Sequence, residues 1–96
     1  MQGGYVYIMT NKPFGVVYIG VTADLVARVA AHREGRGSQF CRRWGLTRLV
    51  WMEPHGDIEG AINREKQMKL WKRVWKLWAI SEANPNWDDL YTTLNG

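Results

Sequence analysis

The sequence predicts one small α/β (α+β) domain, with helices packed on a sheet made from a hairpin and one further strand. The 96 residues leave room for a single domain, which we assign to residues 1–96. Apolar residues make up 46% of the chain and charged residues 23%, as in ordinary globular proteins. The predicted elements come in the order strand, strand, helix, strand, helix, helix, which is typical of a layered α/β structure.

The hairpin is predicted near the N-terminus. Residues 4–10 are rich in aromatic and β-branched types, residues 11–15 contain Asn, Pro and Gly, and residues 16–20 are again β-branched. If the turn centres on Lys12-Pro13, Tyr7 lies directly opposite Tyr18 and both phenols share one sheet face. Taken alone, this arrangement favours a stabilising cross-strand aromatic pair.

The middle of the chain predicts two helices and the third strand. Thr22 is a good N-cap for a helix from Ala23 to Glu34, which ends at Gly35. A short helix over 39–44 then ends at Gly45, and residues 46–53 form the third strand.

The C-terminal half is predicted to be mostly helical. After a turn at 54–56, Asp57 caps a long helix to about Leu70, and more helix follows to Ala83. Asn84-Pro85-Asn86 breaks it, and residues 87–94 form a short closing helix or turn.

Basic residues are concentrated in two segments, within a net charge of +4. Six arginines and one acid lie between Arg28 and Arg48, and six bases and one acid lie between Arg64 and Lys76. Such segments favour a polyanion partner, most commonly nucleic acid, although a solvated basic surface has the same composition. The candidate nucleic-acid-binding residues are Arg33, Arg36, Arg42, Arg43, Lys69, Lys72 and Arg73.

Other classes of protein are disfavoured. The longest apolar stretch is too short to cross a bilayer, and the N-terminus shows no basic region followed by an apolar run. The single cysteine, Cys41, forms neither an intramolecular disulfide nor a cysteine-cluster metal site. The sequence therefore predicts a cytoplasmic protein without a membrane partner.

The first helix carries two polar groups beside its apolar face. Leu25, Val29 and His32 fall on the face that must pack on the sheet, and Arg28 lies on its flank, one turn before His32. An arginine that extends to solvent and a half-buried histidine are the structural interpretation.

Glu65 is the most unexpected residue of the second long helix. It lies within about 20° of Ile58 on the helical wheel, near the centre of the apolar stripe. A carboxylate there must be paired, with Arg28 or Lys69, or must bind a metal. Carboxylate oxygen suits Mg²⁺ or Mn²⁺, and a lone carboxylate suggests that water and phosphate oxygens complete the site.

Three of the six tryptophans, Trp71, Trp75 and Trp78, fall on one helical stripe. Four bases surround them: Lys69, Lys72, Arg73 and Lys76. Core packing is the favoured interpretation, and base stacking on a basic platform is the alternative.

Together these residues indicate phosphodiester chemistry. Arg28 can bind phosphate through two nitrogens, Glu65 can hold a metal ion, and a tyrosine can act as base if nearby cations stabilise its phenolate.

The same residues resemble a known family, the GIY-YIG nuclease superfamily. The most specific part is Tyr18-Ile19-Gly20-Val21-Thr22 with Arg28 and His32, preceded by Tyr5-Val6-Tyr7 and followed by a helical Glu65. The region around Arg64–Lys69 and Glu82–Pro85 is similar to the short stand-alone bacterial branch. The resemblance implies a central three-stranded antiparallel sheet flanked by helices, and divalent-metal-dependent cleavage of DNA.

The resemblance also implies roles for individual residues. The two motif tyrosines fall on Tyr7 and Tyr18, the arginine on Arg28, the metal-binding glutamate on Glu65, and a histidine found in some branches on His32. Tyr5 replaces the first glycine and Val21 replaces a lysine found in some relatives. Asp88 takes the place of an asparagine of larger relatives, and Asn84 is the nearest amide.

These observations predict a Mg²⁺- or Mn²⁺-dependent DNA endonuclease. Tyr7 or Tyr18 is the base with help from His32, Arg28 clamps the phosphate and Glu65 binds the metal. The tryptophan content and small size favour single-stranded or branched DNA. The alternative is a catalytically weak nucleic-acid-binding module that retains the fold.

Overall fold

The computed structural model describes residues 3–94. The elements are β1 (Gly4–Thr10), β2 (Val17–Thr22), α1 (Leu25–Arg33), α2 (Gln39–Trp44), β3 (Arg48–His55), α3 (Ile58–Lys69), α4 (Arg73–Ala83) and α5 (Tyr91–Leu94). Met1 and Gln2, which begin the segment searched for a secretory signal, and residues 95–96 lie outside the described residues. Within residues 3–94, no helix is both long and apolar enough to cross a membrane.

The predicted fold class is confirmed. β1 is the central strand and pairs antiparallel with β2 on one side and β3 on the other. Because successive side chains of β1 point to opposite faces, each face has its own core. Val6 and Ile8 face α3 and α4, whereas Tyr7 and Met9 face α1 and α2.

A β-bulge lets β3 serve both cores. The pairing changes from Ile8 opposite Trp51 to Met9 opposite Leu49, which leaves Val50 as the extra residue. Val50 and Trp51 consequently pack on the same side as α3, while Leu49 packs on the other side.

The predicted hairpin register, with Tyr7 opposite Tyr18, is wrong by two residues. Tyr7 lies opposite Gly20, and Tyr18 lies opposite Met9, so the two phenols are diagonal neighbours on one face. The turn is longer than the sequence suggested because Phe14 adopts a left-handed conformation, with φ of 58°. The Asn11 Oδ1 atom also accepts a hydrogen bond from the Val16 amide, and β2 begins only at Val17.

Several predicted element boundaries move by one or two residues. Asp24, not Thr22, caps α1, because its carboxylate accepts a hydrogen bond from the Ala27 amide at 3.1 Å while Thr22 still belongs to β2. β3 includes Pro54, where a turn was predicted. An edge strand tolerates proline, since a missing N–H on the outer side breaks no ladder bond.

The two helices predicted after Asp57, one to about Leu70 and the next to Ala83, are confirmed, and a short break separates them. Leu70 ends α3, and Lys72 has an extended backbone before α4 begins at Arg73. The tryptophan stripe is broken there, and Trp75 and Trp78 are 56% and 65% exposed. Core packing is therefore the wrong interpretation for these two residues.

Trp87 closes the α4 side of the molecule. It is fully buried, and its backbone is left-handed with φ of 54°. Its ring centroid lies 4.8 Å from that of Phe14. Its indole N–H donates to the Ser81 hydroxyl, and its carbonyl accepts from Arg48. These contacts fix the segment between α4 and α5 against the sheet.

Candidate active site

The site is built around Tyr7, on the central strand. Gly20 lies opposite it on β2. A Cβ atom at Gly20 would lie 2.4 Å from both the Tyr7 hydroxyl oxygen and Cζ, so the phenol ring occupies the space above a glycine. The last residue of the Tyr18-Ile19-Gly20 motif is therefore needed to seat Tyr7.

Tyr7 forms a buried hydrogen bond with a histidine of α1. The Tyr7 hydroxyl oxygen lies 2.8 Å from Nε2 of His32, and the two residues are 1% and 2% exposed. Burial raises the pKa of Tyr7 well above its usual range, with a further rise from the neighbouring Tyr18. Burial also lowers the pKa of His32. Both side chains are consequently neutral near pH 7, and we assign the phenol as donor to Nε2.

The other nitrogen of the histidine is packed against backbone. Within residues 3–94, His32 Nδ1 has no hydrogen-bond partner although it is buried. A Cβ atom at Gly37 would lie 2.4 Å from this nitrogen, so the loop between α1 and α2 lies directly against the imidazole. Gly37 thus holds His32 in place on the side away from Tyr7.

Tyr18 is the second phenol of the site, and it is only partly buried. Its ring centroid lies 6.4 Å from that of Tyr7 and 5.6 Å from that of His32. Phe40 of α2 stacks on it with a centroid distance of 6.1 Å and an interplanar angle of 29°. No sequence signal pointed to Phe40, because only the folded chain brings α2 to the hairpin.

Arg28 supplies positive charge at the edge of the same cluster. Its side chain is exposed, and it forms no ion pair within residues 3–94. Burial is the larger cause of the lowered pKa of His32, and the positive charge of Arg28 is the smaller one. The same charge opposes the rise in the pKa of Tyr7. An unpaired guanidinium beside neutral groups is available to bind an anion.

Glu65 reaches the site from α3, past the edge strand β2. Its side chain is 13% exposed, and its Oε2 atom lies 3.1 Å from Nζ of Lys69. Lys69 Nζ is also 5.9 Å from the Tyr18 ring centroid. The structure thus contains the ion pair with Lys69 that the sequence left open.

The surroundings of Glu65 are compatible with a magnesium-type ion. Residues 3–94 contain no group of three or more His, Cys, Asp or Glu side chains that could enclose a metal. Mg²⁺ commonly keeps several waters and binds through one or two carboxylates together with substrate phosphate. Because the Lys69 side chain is 50% exposed, it can move away from Glu65 when an ion binds.

The predicted nucleic-acid-binding cations fall into two groups. Arg33 is paired with Asp89 at 2.6 Å, Arg36 with Glu34 at 2.9 Å, and Arg73 donates to the carbonyls of Phe14 and Gly15. Arg42, Arg43 and Lys72 are exposed, and none forms an ion pair within the described part of the chain. Nucleic-acid binding by any of them stays a prediction.

The amide considered as a substitute for the family asparagine has internal partners. Asn84 is buried, and its Nδ2 atom donates to the carbonyls of Val50 and Asp88 while its Oδ1 atom accepts from the Asp88 amide. It joins the end of α4 to β3, and Asp88 itself is exposed.

The arrangement combines a guanidinium, a carboxylate and a phenol linked to a neutral imidazole. These are the groups that hydrolysis of a phosphodiester requires: charge neutralisation, a positioned nucleophile and an acceptor for its proton.

Comparison with known proteins gives the same family. The GIY-YIG catalytic domain matches residues 3–78. A UPF0213 protein of Staphylococcus saprophyticus is 32% identical over 83 residues, which cover 86% of this chain and 100% of that protein. A UPF0213 protein of Staphylococcus haemolyticus is 33% identical over 82 residues, 85% of this chain and 99% of that protein.

A UPF0213 protein of Aeromonas salmonicida is 29% identical over 87 residues, 91% of this chain and 63% of that protein. No solved structure gives a significant match to the chain. The match to the catalytic domain covers β1 to α3 and most of α4, and so includes every residue of the site described above. The chain therefore belongs to the GIY-YIG family of nuclease domains, which generally use divalent metal ions.

Proposed function

We propose that this protein is a divalent-metal-dependent DNA endonuclease that acts on single-stranded or branched DNA. The observation that supports it most is the convergence of Tyr7 from β1, Arg28 and His32 from α1, and Glu65 from α3 on one place. The free cysteine is buried, which agrees with a place in the reducing cytoplasm.

Arg28 is proposed to bind the scissile phosphate. It is exposed and unpaired within residues 3–94, and its charge acts on both Tyr7 and His32. A bound phosphate would offset that charge, and the imidazole would then accept a proton more readily. Substrate binding and base activation are thereby coupled.

The Tyr7–His32 pair is proposed as the base. Tyr7 takes a proton from the attacking water while its own proton passes across the 2.8 Å hydrogen bond to Nε2 of His32. The water oxygen bonds to phosphorus, the bond from phosphorus to the leaving oxygen breaks, and the leaving oxygen takes a proton from solvent. Because the proton ends on the imidazole, no phenolate accumulates despite the raised pKa of Tyr7.

Glu65 is proposed to hold Mg²⁺ or Mn²⁺, together with water and phosphate oxygens. The ion would neutralise negative charge on the phosphate during the reaction. Tyr18, partly exposed beside Tyr7, is proposed to orient the attacking water, and Lys69 adds positive charge at this edge.

Cleavage of a DNA panel tests this function. Single-stranded, duplex and junction DNAs are incubated with Mg²⁺, Mn²⁺ or EDTA, using wild type and Arg28→Ala. We expect cleavage of single-stranded or junction DNA with metal only, and none by the variant at unchanged melting temperature. Tight binding of these DNAs without any cleavage would instead favour the nucleic-acid-binding module.

A further inference from the structure

The α2 segment combines exposed aromatic and basic side chains next to the active site. Phe40 and Trp44 are 44% and 47% exposed, and they share a face because they lie one helical turn apart. Arg42 and Arg43 are also exposed on this short helix. We call Phe40, Arg42, Arg43 and Trp44 the α2 surface.

The α2 surface is held rigidly. Ser38 caps the helix by accepting a hydrogen bond from the Cys41 amide, and Cys41 is buried in the core beneath it. At the other end, Gly45 adopts a left-handed conformation and the Leu46 amide donates to the Cys41 carbonyl at 2.9 Å. Outward-facing aromatic rings are therefore fixed on a packed helix and are not part of a mobile loop.

The surface is continuous with the catalytic cluster through Phe40, which stacks on Tyr18 at 6.1 Å. At its other end, the Arg43 guanidinium lies 5.4 Å from the Trp44 ring centroid. Between Gly35 and Met52 the chain contains four arginines and no acid, so the charge complements a polyanion. The adjoining cavity of about 490 Å³ is lined by residues 35–39 and Arg42.

We propose that the α2 surface binds unpaired nucleotides of single-stranded DNA next to the scissile phosphate. Bases stack on Phe40 and Trp44 while Arg42 and Arg43 contact the backbone. Because a stacked base must leave its partner, this surface would make the enzyme prefer unpaired DNA. The inference rests on the proposed nuclease function and names the part of the substrate that the site holds.

A second aromatic surface provides a matched control. Trp75 and Trp78 on α4 are as exposed as Phe40 and Trp44, and lysines flank them. Within residues 3–94, neither ring stacks on an aromatic residue of the site, whereas Phe40 stacks on Tyr18. The two surfaces thus have the same chemistry and differ in their connection to the site.

Binding without metal tests the proposal apart from catalysis. In EDTA, fluorescence anisotropy measures the affinity of a short thymidine oligonucleotide and of an abasic strand of equal length. Wild type should prefer the strand with bases. Phe40→Leu and Trp44→Leu should each weaken its binding about tenfold and leave abasic binding unchanged, since a stacked base contributes about 1–3 kcal/mol.

The controls separate this proposal from the nuclease assignment. The double variant Trp75→Leu/Trp78→Leu should bind both strands like wild type. When a 2-aminopurine base is placed in the strand, wild type should quench its fluorescence, and Phe40→Leu should quench it less. Equal affinity of wild type for both strands, or loss of affinity only in the α4 variant, would overturn the proposal even if the protein cleaves DNA. Sedimentation showing a wild-type dimer that Phe40→Leu dissociates would assign the surface to a second copy and also overturn it. Base-dependent binding with no cleavage would support DNA binding by the α2 surface and contradict only the proposed nuclease activity.

Discussion

Replacing Tyr7 with phenylalanine removes one oxygen atom from the centre of the site. The ring still fills the space above Gly20, so the packing of β1 on β2 is retained. What is lost is the 2.8 Å hydrogen bond to His32 Nε2. Since Nδ1 already has no partner within residues 3–94, the imidazole would then be buried with neither nitrogen paired.

The size of the effect follows from this double loss. A buried polar group without a partner costs about 1–3 kcal/mol, and His32 is 2% exposed, so water cannot readily replace the phenol. For a domain of this size, each 1 kcal/mol lowers the melting temperature by about 4–8 °C. We therefore expect Tyr7→Phe to melt at least several degrees below wild type.

Urea and thermal unfolding of wild type and four variants give the assay. Tyr18→Phe is the control, because Tyr18 is partly exposed and its hydroxyl has no hydrogen-bond partner within residues 3–94, so its stability should change by less than about 0.5 kcal/mol. His32→Leu removes the other partner. The double variant Tyr7→Phe/His32→Leu should lose less free energy of unfolding than the two single losses added together, because it leaves no unpaired group.

The catalytic part of the prediction uses the same variants. Tyr7→Phe should also reduce the cleavage rate by about 10²-fold or more, a usual share for a general base. The predicted destabilisation is refuted if Tyr7→Phe is as stable as wild type and the double variant loses the sum of the two single losses in free energy of unfolding. The hydrogen bond would then not hold this pair together. Equal and small rate losses for Tyr7→Phe and Tyr18→Phe would remove both tyrosines as the base.

Three further outcomes are expected. Burial lowers the pKa of His32 in the folded state, so the unfolded chain binds a proton first as the pH falls below about 6.5. The free energy of unfolding should therefore decrease as the pH falls from there to the lowered pKa of His32. In urea titrations, His32→Gln should remove this part of the pH dependence. Trp87→Ala should lose about 3–5 kcal/mol, because the ring is fully buried, whereas the exposed Trp75→Ala should lose less than about 0.5 kcal/mol in the same assay. The logarithm of the affinity for single-stranded DNA should fall with the logarithm of salt concentration, by about 0.7 for each phosphate contact, and Arg42→Ala should reduce that slope; a flat salt response would mean that the basic surface faces away from DNA.

Much of the fold could be predicted because local signals agree with the tertiary structure. The hairpin, the α2 helix with its Gly45 terminus and the Asp57 cap all arise from short-range chemistry. The hairpin register could not, because it depends on Phe14 in a left-handed conformation, which a bulky side chain rarely adopts.

The break between α3 and α4 shows a different limit. A helix end near Leu70 is predicted, but no glycine or proline marks the extended backbone at Lys72 that separates the two helices. The interruption lets Arg73 bind the carbonyls of the β1–β2 turn, a long-range contact that periodicity cannot reveal. For the same reason the exposure of Trp75 and Trp78 was not foreseen.

For the site, sequence reasoning found residues of the right chemistry but not their pairings. Glu65 was singled out because a carboxylate on an apolar stripe needs a partner, and the structure pairs it with Lys69. The contacts of Tyr7 with His32 and of Tyr18 with Phe40 join segments far apart in sequence. Only the folded chain shows that one tyrosine is bonded to an acceptor while the other is stacked on α2.

We propose that Glu65 serves a metal-dependent reaction at this site and is not merely an ion-pair partner of Lys69. Single-turnover cleavage of single-stranded DNA, titrated with Mg²⁺ or Mn²⁺, tests it most directly in wild type and Glu65→Gln. The control is Glu59→Gln, which removes an exposed carboxylate from the same helix. We expect the rates of wild type and Glu59→Gln to rise to a plateau with metal, and no cleavage by folded Glu65→Gln at any concentration. Cleavage by Glu65→Gln at the wild-type rate, or by wild type in EDTA, would contradict the account.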